Sequence, residues 1–429
     1  MLHALLCRLS NRNTIQAVTY FVYKAISSYI LVERVFTLGC IVQSGIVQRG
    51  HALMGFANSL ESAWVKHRVN GAREMHQASR AKAEKVLRKR GLWTLVWGLA
   101  LLWSVMGCTS DETLGVKIQG QTYDVIDMHL HPGEWELIPP ETQKYLASRF
   151  PFPFKLNPQE LANSVLTAKG ILTELTNAKI VGGVLFAVYA PKTVGICTNE
   201  FVIKQVKDGS GRLWGLASLR VDRWNKDKDD QLAALRSALQ KPGMVGIKLA
   251  HAHMHFRMDD PRYYGIYEIS AELQKPIYLH TGSSPFPNIS VKKEYTNPAY
   301  LEDAIKKHPK AIFILGHLGY DFINKEHKYL DVCIRLAKTY KNVYLEPSAF
   351  GSESGDPDGT KLAKAMKDIK DNGLIDRVIY GSDGPQSPGF VKKYMDRTIK
   401  AMEKSGYTSD EMKAVLSGNF LRVFRVKLP

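Results

Sequence analysis

Four histidines, one lysine and one aspartate stand at the ends of short apolar runs, where metal chemistry would need them. Val125-Ile126-Asp127-Met128 leads into His129-Leu130-His131. Val245-Gly246-Ile247 leads to Lys248, Ile277-Tyr278-Leu279 to His280, Ile314-Leu315-Gly316 to His317, and Ile379-Tyr380-Gly381-Ser382 to Asp383. In a strand, residues i and i+2 share a face, so His129 and His131 address the same space. Imidazole is the commonest protein ligand for zinc and its neighbours. One His-x-His pair says little by itself. Five strand ends bearing such groups say more, because burying His or Asp without partners costs several kcal/mol each.

The elements that would hold these residues alternate. Eight candidate strands cover 123–129, 180–190, 213–219, 245–250, 276–280, 311–316, 343–347 and 377–381, with helical stretches between them. Asn157-Pro158-Gln159-Glu160 and Thr408-Ser409-Asp410-Glu411 read as helix starts. Residues 361–370 and 391–404 carry apolar positions at three- and four-residue spacing. Eight such units over about 300 residues predict an α/β fold, a parallel (β/α)8 TIM barrel whose strand C-termini converge on the active site. A doubly wound sheet is the alternative. No GxGxxG or GxxxxGK[ST] follows any strand, and no solenoid or propeller period recurs.

His129-x-His131, Lys248, His280, His317 and Asp383, in that order, resemble the amidohydrolase superfamily. The phrases Val245-Gly246-Ile247-Lys248-Leu249, Tyr380-Gly381-Ser382-Asp383-Gly384-Pro385 and Ser417-Gly418-Asn419-Phe420 are similar to the branch containing aminocarboxymuconate-semialdehyde decarboxylase and many metal-dependent hydrolases. The resemblance covers about residues 122–425. It implies that His129, His131, His280 and Asp383 hold one divalent metal, zinc by donor type. It makes His317 an acid/base or an additional ligand, and Asp383 the base for the metal's water. Lys248 has two readings: a carboxylated bridge to a second ion, or a salt bridge under the barrel mouth.

Other residues carry weaker signals. His251, His253 and His255 read as an exposed loop rather than a ligand set. Arg257 could grip a substrate carboxylate bidentately, or pair with Asp259 or Asp260. Glu134 and Trp135 fall in the first βα loop, where substrate contacts concentrate. Glu346 and Ser348 close the seventh strand and would line the same mouth.

The front of the chain is different. The 429 residues carry a net charge of +17. Residues 1–108 hold 14 basic and 4 acidic side chains, a surplus of ten, and 109–429 hold only the remaining seven. Residues 92–107 are uncharged and apolar, follow a basic stretch at 82–90, and end at Cys108. That order reads as a lipoprotein-type signal with Cys108 lipidated, giving a membrane-anchored protein of the bacterial envelope, in the periplasm or outer membrane. An uncleaved anchor is the alternative. The segments are then 1–74, an unassigned extension with Met75 as a better start; 75–108, the signal; 109–121, a linker; and 122–429, the barrel. Five cysteines with no CxxC pair argue against a disulfide framework or a Cys-based metal site. Interspersed acidic residues exclude a nucleic-acid patch in the body. The partners expected are a small-molecule substrate and a second copy of the chain.

Three functions fit this pattern: a metal-dependent hydrolase of an amide, ester or lactone; a decarboxylase using the same site; and a barrel lipoprotein that binds without turnover. A carboxylate-binding arginine beside the metal would favour the second.

Overall fold

The computed structural model describes residues 113–150, 156–350 and 355–429. Cys108 and the segments 1–74 and 75–108 lie outside these residues. Among the described residues no helix is long and apolar enough to cross a membrane.

A hairpin, β1 (Val116–Ile118) with β2 (Gln121–Tyr123), opens the body. Val116 and Ile118 are buried, so the second half of the stretch read as a linker is part of the packed unit. Seven parallel strands follow in one sheet: β3 (Ile126–Leu130), β4 (Gly182–Phe186), β7 (Leu213–Ala217), β8 (Met244–Leu249), β9 (Ile277–His280), β10 (Phe313–Gly316) and β11 (Val343–Glu346), neighbours in that order. Between β4 and β7 the chain makes a small hairpin, β5 (Val188–Ala190) with β6 (Gly195–Cys197), where one long strand, 180–190, was expected. The seven strands are buried along their whole length, as a parallel sheet covered by helices requires.

The eighth expected strand, 377–381, is not a regular strand. The chain instead bridges both sheet edges, through Leu345 with Val378 on one side and Leu130 with Gly384 on the other. Met128 N donates to Tyr380 O, and Asp383 N donates to His129 O at 3.0 Å. The architecture is a TIM-barrel-like α/β fold with this segment across the gap.

One core cluster gathers strand residues from around the sheet, including Phe186, Trp214, Tyr278, Ile314, Tyr344 and Ile379, and Phe420 and Phe424 of the last helix pack into it. A larger cluster lies between strands and helices. The expected capping signals hold: the Asn157 side chain accepts from Glu160 N, and Thr408 with Glu411 forms a capping box. A satellite core of Trp135, Phe150, Leu161 and Ala162 joins the turn Trp135–Leu137 to the helices Pro140–Arg149 and Pro158–Val165, all inserted between β3 and β4.

Candidate metal centre and active site

Strand register brings the donors together. Lys248 lies beside Tyr278, while His280, Gly316 and Glu346 lie side by side on three neighbouring strands. Glycine is required at two points of close approach. A Cβ on Gly316 would run into the Tyr278 hydroxyl, and one on Gly381 would run into the Glu346 carboxylate. His317 (φ 60°) and Asp383 (φ 66°) occupy the left-handed region, which costs a non-glycine residue on the order of 1–3 kcal/mol and concentrates at functional sites.

His129, His131 and Asp383 converge. His129 Nε2 lies 3.0 Å from His131 Nε2 and 3.1 Å from Asp383 Oδ1, and His131 Nε2 lies 2.9 Å from the same oxygen. His280 stands apart from this trio. Its ring centre is 4.5 Å from that of His317, and its Nε2 is buried with no partner. Burial pushes the imidazoles of His131 and His317 down to about 4 and that of His280 well below its ordinary range. Burial would raise the Asp383 carboxyl, but His129 and His131 together outweigh it and hold the group well below the usual carboxylate range. Imidazoles that burial keeps neutral at His131, His317 and His280, an ionised carboxylate and one orphaned ring nitrogen form a donor set that fits a divalent cation.

Behind His129 lies a hydrogen-bond network. Glu346 Oε2 accepts from Ser348 Oγ at 2.8 Å and from the Tyr278 hydroxyl at 3.0 Å. Both hydroxyl protons are thereby committed, so His129 Nδ1 carries its own proton and donates to Glu346 Oε1 at 3.3 Å. This leaves Nε2 as the acceptor atom on the side of His131 and Asp383. By the same reasoning His317 Nδ1 donates to the Ser348 carbonyl at 3.3 Å. His129, His317 and Glu346 also form a compact group. Its Glu346 oxygens are taken by hydroxyl and ring donors, which makes it the support for His129. Glu346 and Ser348 were expected to line the mouth; both are fully buried behind it.

Lys248 is buried, with Nζ 4.1 Å from the Tyr278 ring centre and 4.6 Å from that of Phe186. Among the described residues it has no carboxylate at ion-pair distance, so the salt bridge considered for it is not formed. Burial lowers its amine to about 7.

A cavity of about 290 Å³ opens onto these groups, lined by His131, Lys248, His253, His280, His317 and Asp383 at its polar end. The rest is largely apolar, with Trp135, Tyr145, Phe150, Phe286 and Phe322 prominent, and Glu134 also on the wall. Glu134 and Trp135 thus both lie on the cavity wall.

Of the two readings of Arg257 the pairing is observed, and the exposed-loop reading of His251 and His253 is corrected. Arg257 does not line the cavity: its guanidinium binds Asp259 through two bonds of 2.8 and 2.7 Å, with Glu294 at 3.6 Å. His251 and His253 are not exposed: after β8 the chain turns into the short helix His251–Met254, which buries both, and only His255 reaches the surface. Cys197 and Cys333 are free and buried, as two small core residues.

One further feature bears on anions. The helix Phe390–Lys404 follows the eighth segment, at a position where barrels commonly bind phosphate. Here Gly389 N donates to both carboxylate oxygens of Glu174 at 2.9 Å, so an internal acid fills that place.

The amidohydrolase family profile matches residues 126–426. No curated protein matches the chain. Among solved structures, an uncharacterised TIM-barrel protein from Bordetella bronchiseptica is similar at 19% identity and TM-score 0.53, over 70% of this chain and 98% of that one. A probable 2-pyrone-4,6-dicarboxylic acid hydrolase from Acinetobacter baumannii aligns at 17% identity and TM-score 0.49, over 70% and 99%. 5-Carboxyvanillate decarboxylase from Sphingomonas paucimobilis aligns at 13% and 0.48, over 71% and 100%. With the profile spanning the barrel from β3 to the last helix, the chain belongs to the amidohydrolase family of metal-dependent enzymes.

Proposed function

We propose that the protein hydrolyses an amide, ester or lactone with one divalent metal, zinc by donor type, held by His129, His131 and Asp383 with His280 completing the set. The observation that carries this reading is the Asp383 carboxylate, 3.1 and 2.9 Å from two imidazole nitrogens at the polar end of an apolar cavity. A divalent cation there supplies a water with a pKa near 7 and polarises a carbonyl.

The chain's own residues do the rest. Asp383, ionised and free of any basic side chain other than the imidazoles, accepts a proton at its carboxylate and passes it toward the leaving group. Glu346, Ser348 and Tyr278 hold His129 in one tautomer. His317, fixed through Nδ1 on Ser348, presents Nε2 to the cavity as a hydrogen-bond acceptor for a proton-bearing group of the substrate. The apolar lining from Trp135 to Phe322 excludes water around the reacting bond.

Decarboxylation at the same groups is the second reading. It loses its sequence argument because Arg257 is engaged with Asp259 away from the cavity. The sequence of 82–108 supports export and lipid attachment at Cys108, which the intact mass of the native protein tests.

The deciding experiment is metal analysis of the purified protein, followed by assay of amides, esters, lactones and carboxylated aromatics. Hydrolysis that disappears with chelation and returns with zinc supports the proposal. Carbon dioxide release without hydrolysis, or full activity without metal, overturns it.

A further inference from the structure

A continuous wall of rings runs from the converging donors to the outer helix of the insert. The His129 and His317 ring centres lie 5.2 Å apart, His317 and His280 4.5 Å, His280 and His253 4.9 Å, His253 and Phe286 6.0 Å, and Phe286 and Tyr145 5.2 Å. The Arg149 guanidinium closes the row, 4.6 Å from the centre of the Tyr145 ring. From His131 and Asp383 outward, the wall's members face the cavity: His317, His280, His253, Phe286, Tyr145 and Arg149 all line it.

Two features of this wall are unspent by the chemistry above. Arg149 has no carboxylate partner among the described residues, and it is the one arginine among those lining the cavity. His253 is buried, 6% exposed, and its Nδ1 has no partner. A buried imidazole nitrogen left unpaired carries a desolvation cost, which is removed when a ligand supplies the missing hydrogen bond. A planar guanidinium stacked on a ring is set up to bind a carboxylate bidentately.

We infer that the substrate is an elongated, ring-bearing carboxylic acid derivative. Its acyl group lies at the metal centre, its ring stacks along Phe286 and Tyr145 with a polar atom toward His253, and a second, remote carboxylate is read by Arg149. Several ring widths separate Arg149 from Asp383, so a small polar acid cannot address both ends. With Glu174 filling the helix terminus that would otherwise take a phosphate, Arg149 is the anion reader the cavity offers. The inference rests on the proposed function only for the placement of the acyl group.

Binding to the zinc-loaded protein tests it independently of turnover. Calorimetric titration would compare butanoic acid, 4-phenylbutanoic acid and 4-(4-carboxyphenyl)butanoic acid, each with wild type, Arg149→Met and Phe286→Ala. The ring-bearing diacid should bind at least ~10-fold more tightly than phenylbutanoate, a difference of about 1.4 kcal/mol. Phenylbutanoate should in turn exceed butanoate. Arg149→Met should bind the two ring-bearing acids alike, and Phe286→Ala should weaken both relative to butanoate. Equal affinities in wild type, or a diacid preference that survives in Arg149→Met, overturn the inference. The expected binding pattern combined with no hydrolysis of the matching esters would overturn the hydrolase reading and leave this inference standing.

Discussion

Glu346 grips His129 from behind, its Oε1 3.3 Å from Nδ1, while the opposite nitrogen of the same ring faces Asp383 at 3.1 Å. One carboxylate thus fixes the tautomer that a second carboxylate and a cation would use. Glu346→Gln keeps an acceptor but removes the charge, and metal affinity should fall roughly 10–100-fold. Competition against a graded chelator measures this. Glu346→Ala also strands the hydroxyls of Ser348 and Tyr278, adding a stability loss of about 1–3 kcal/mol.

His129→Ala should abolish metal retention through gel filtration, whereas His251→Ala should keep it. Both imidazoles are fully buried, but His251 stacks on Phe256 with ring centres 4.2 Å apart and belongs to no converging group. Loss of metal from both variants alike would mean that disruption of a buried imidazole, which the two share, and not ligation accounts for the effect.

Asp383→Asn preserves shape and removes the proton acceptor. Turnover should fall by about 10²–10⁴ in kcat, the range for losing a general base. Metal content measured on the same sample separates this from a ligand loss.

His251 also makes the fold sensitive to acid. Burial pushes its imidazole down to about 3, whereas the unfolded chain protonates near 6.5. The folded state thus declines a proton that the unfolded state accepts, and the stability present above pH 6.5 is lost as pH falls toward 3. Each unit of pH in that window costs about 1.4 kcal/mol through this one group. Urea unfolding at pH 7.5, 6 and 5 should show the slope in wild type and a slope smaller by about one proton in His251→Leu.

Gly381→Ala drives a methyl group into the Glu346 carboxylate and to 2.8 Å from the His129 Cβ. It should lower the melting temperature and metal content together, as calorimetry and metal analysis on one preparation would show.

The sequence made the strand ends legible because each donor follows an apolar run, and seven of the eight expected runs hold strands of the sheet. The eighth misled because Val378, Ile379 and Tyr380 are apolar for burial, while Asp383 turns left-handed and pairing reduces to two bridges. His253 was hidden because its environment depends on a four-residue helix with no sequence signature of its own. Arg149 and Tyr145 could not be read as cavity residues, since the insert that carries them is placed by the tertiary contacts of Trp135, Phe150 and Leu161. Glu346 was legible as a strand end but not as the partner of a histidine 217 positions away.

The segment from Val378 to Gly384 touches both edges of the sheet and carries Asp383, while the histidines facing Asp383 belong to β3 and its end, the edge it meets there. The donor trio therefore straddles a seam. A cation held by this trio, as proposed, would bind the folded chain alone, and at 100 times its dissociation constant it would add about 2.7 kcal/mol to folding stability. That protection should concentrate in the amides of Met128, His131, Ile379 and Asp383, whose hydrogen bonds stitch the seam. Ion affinity and the integrity of this join would then rise and fall together.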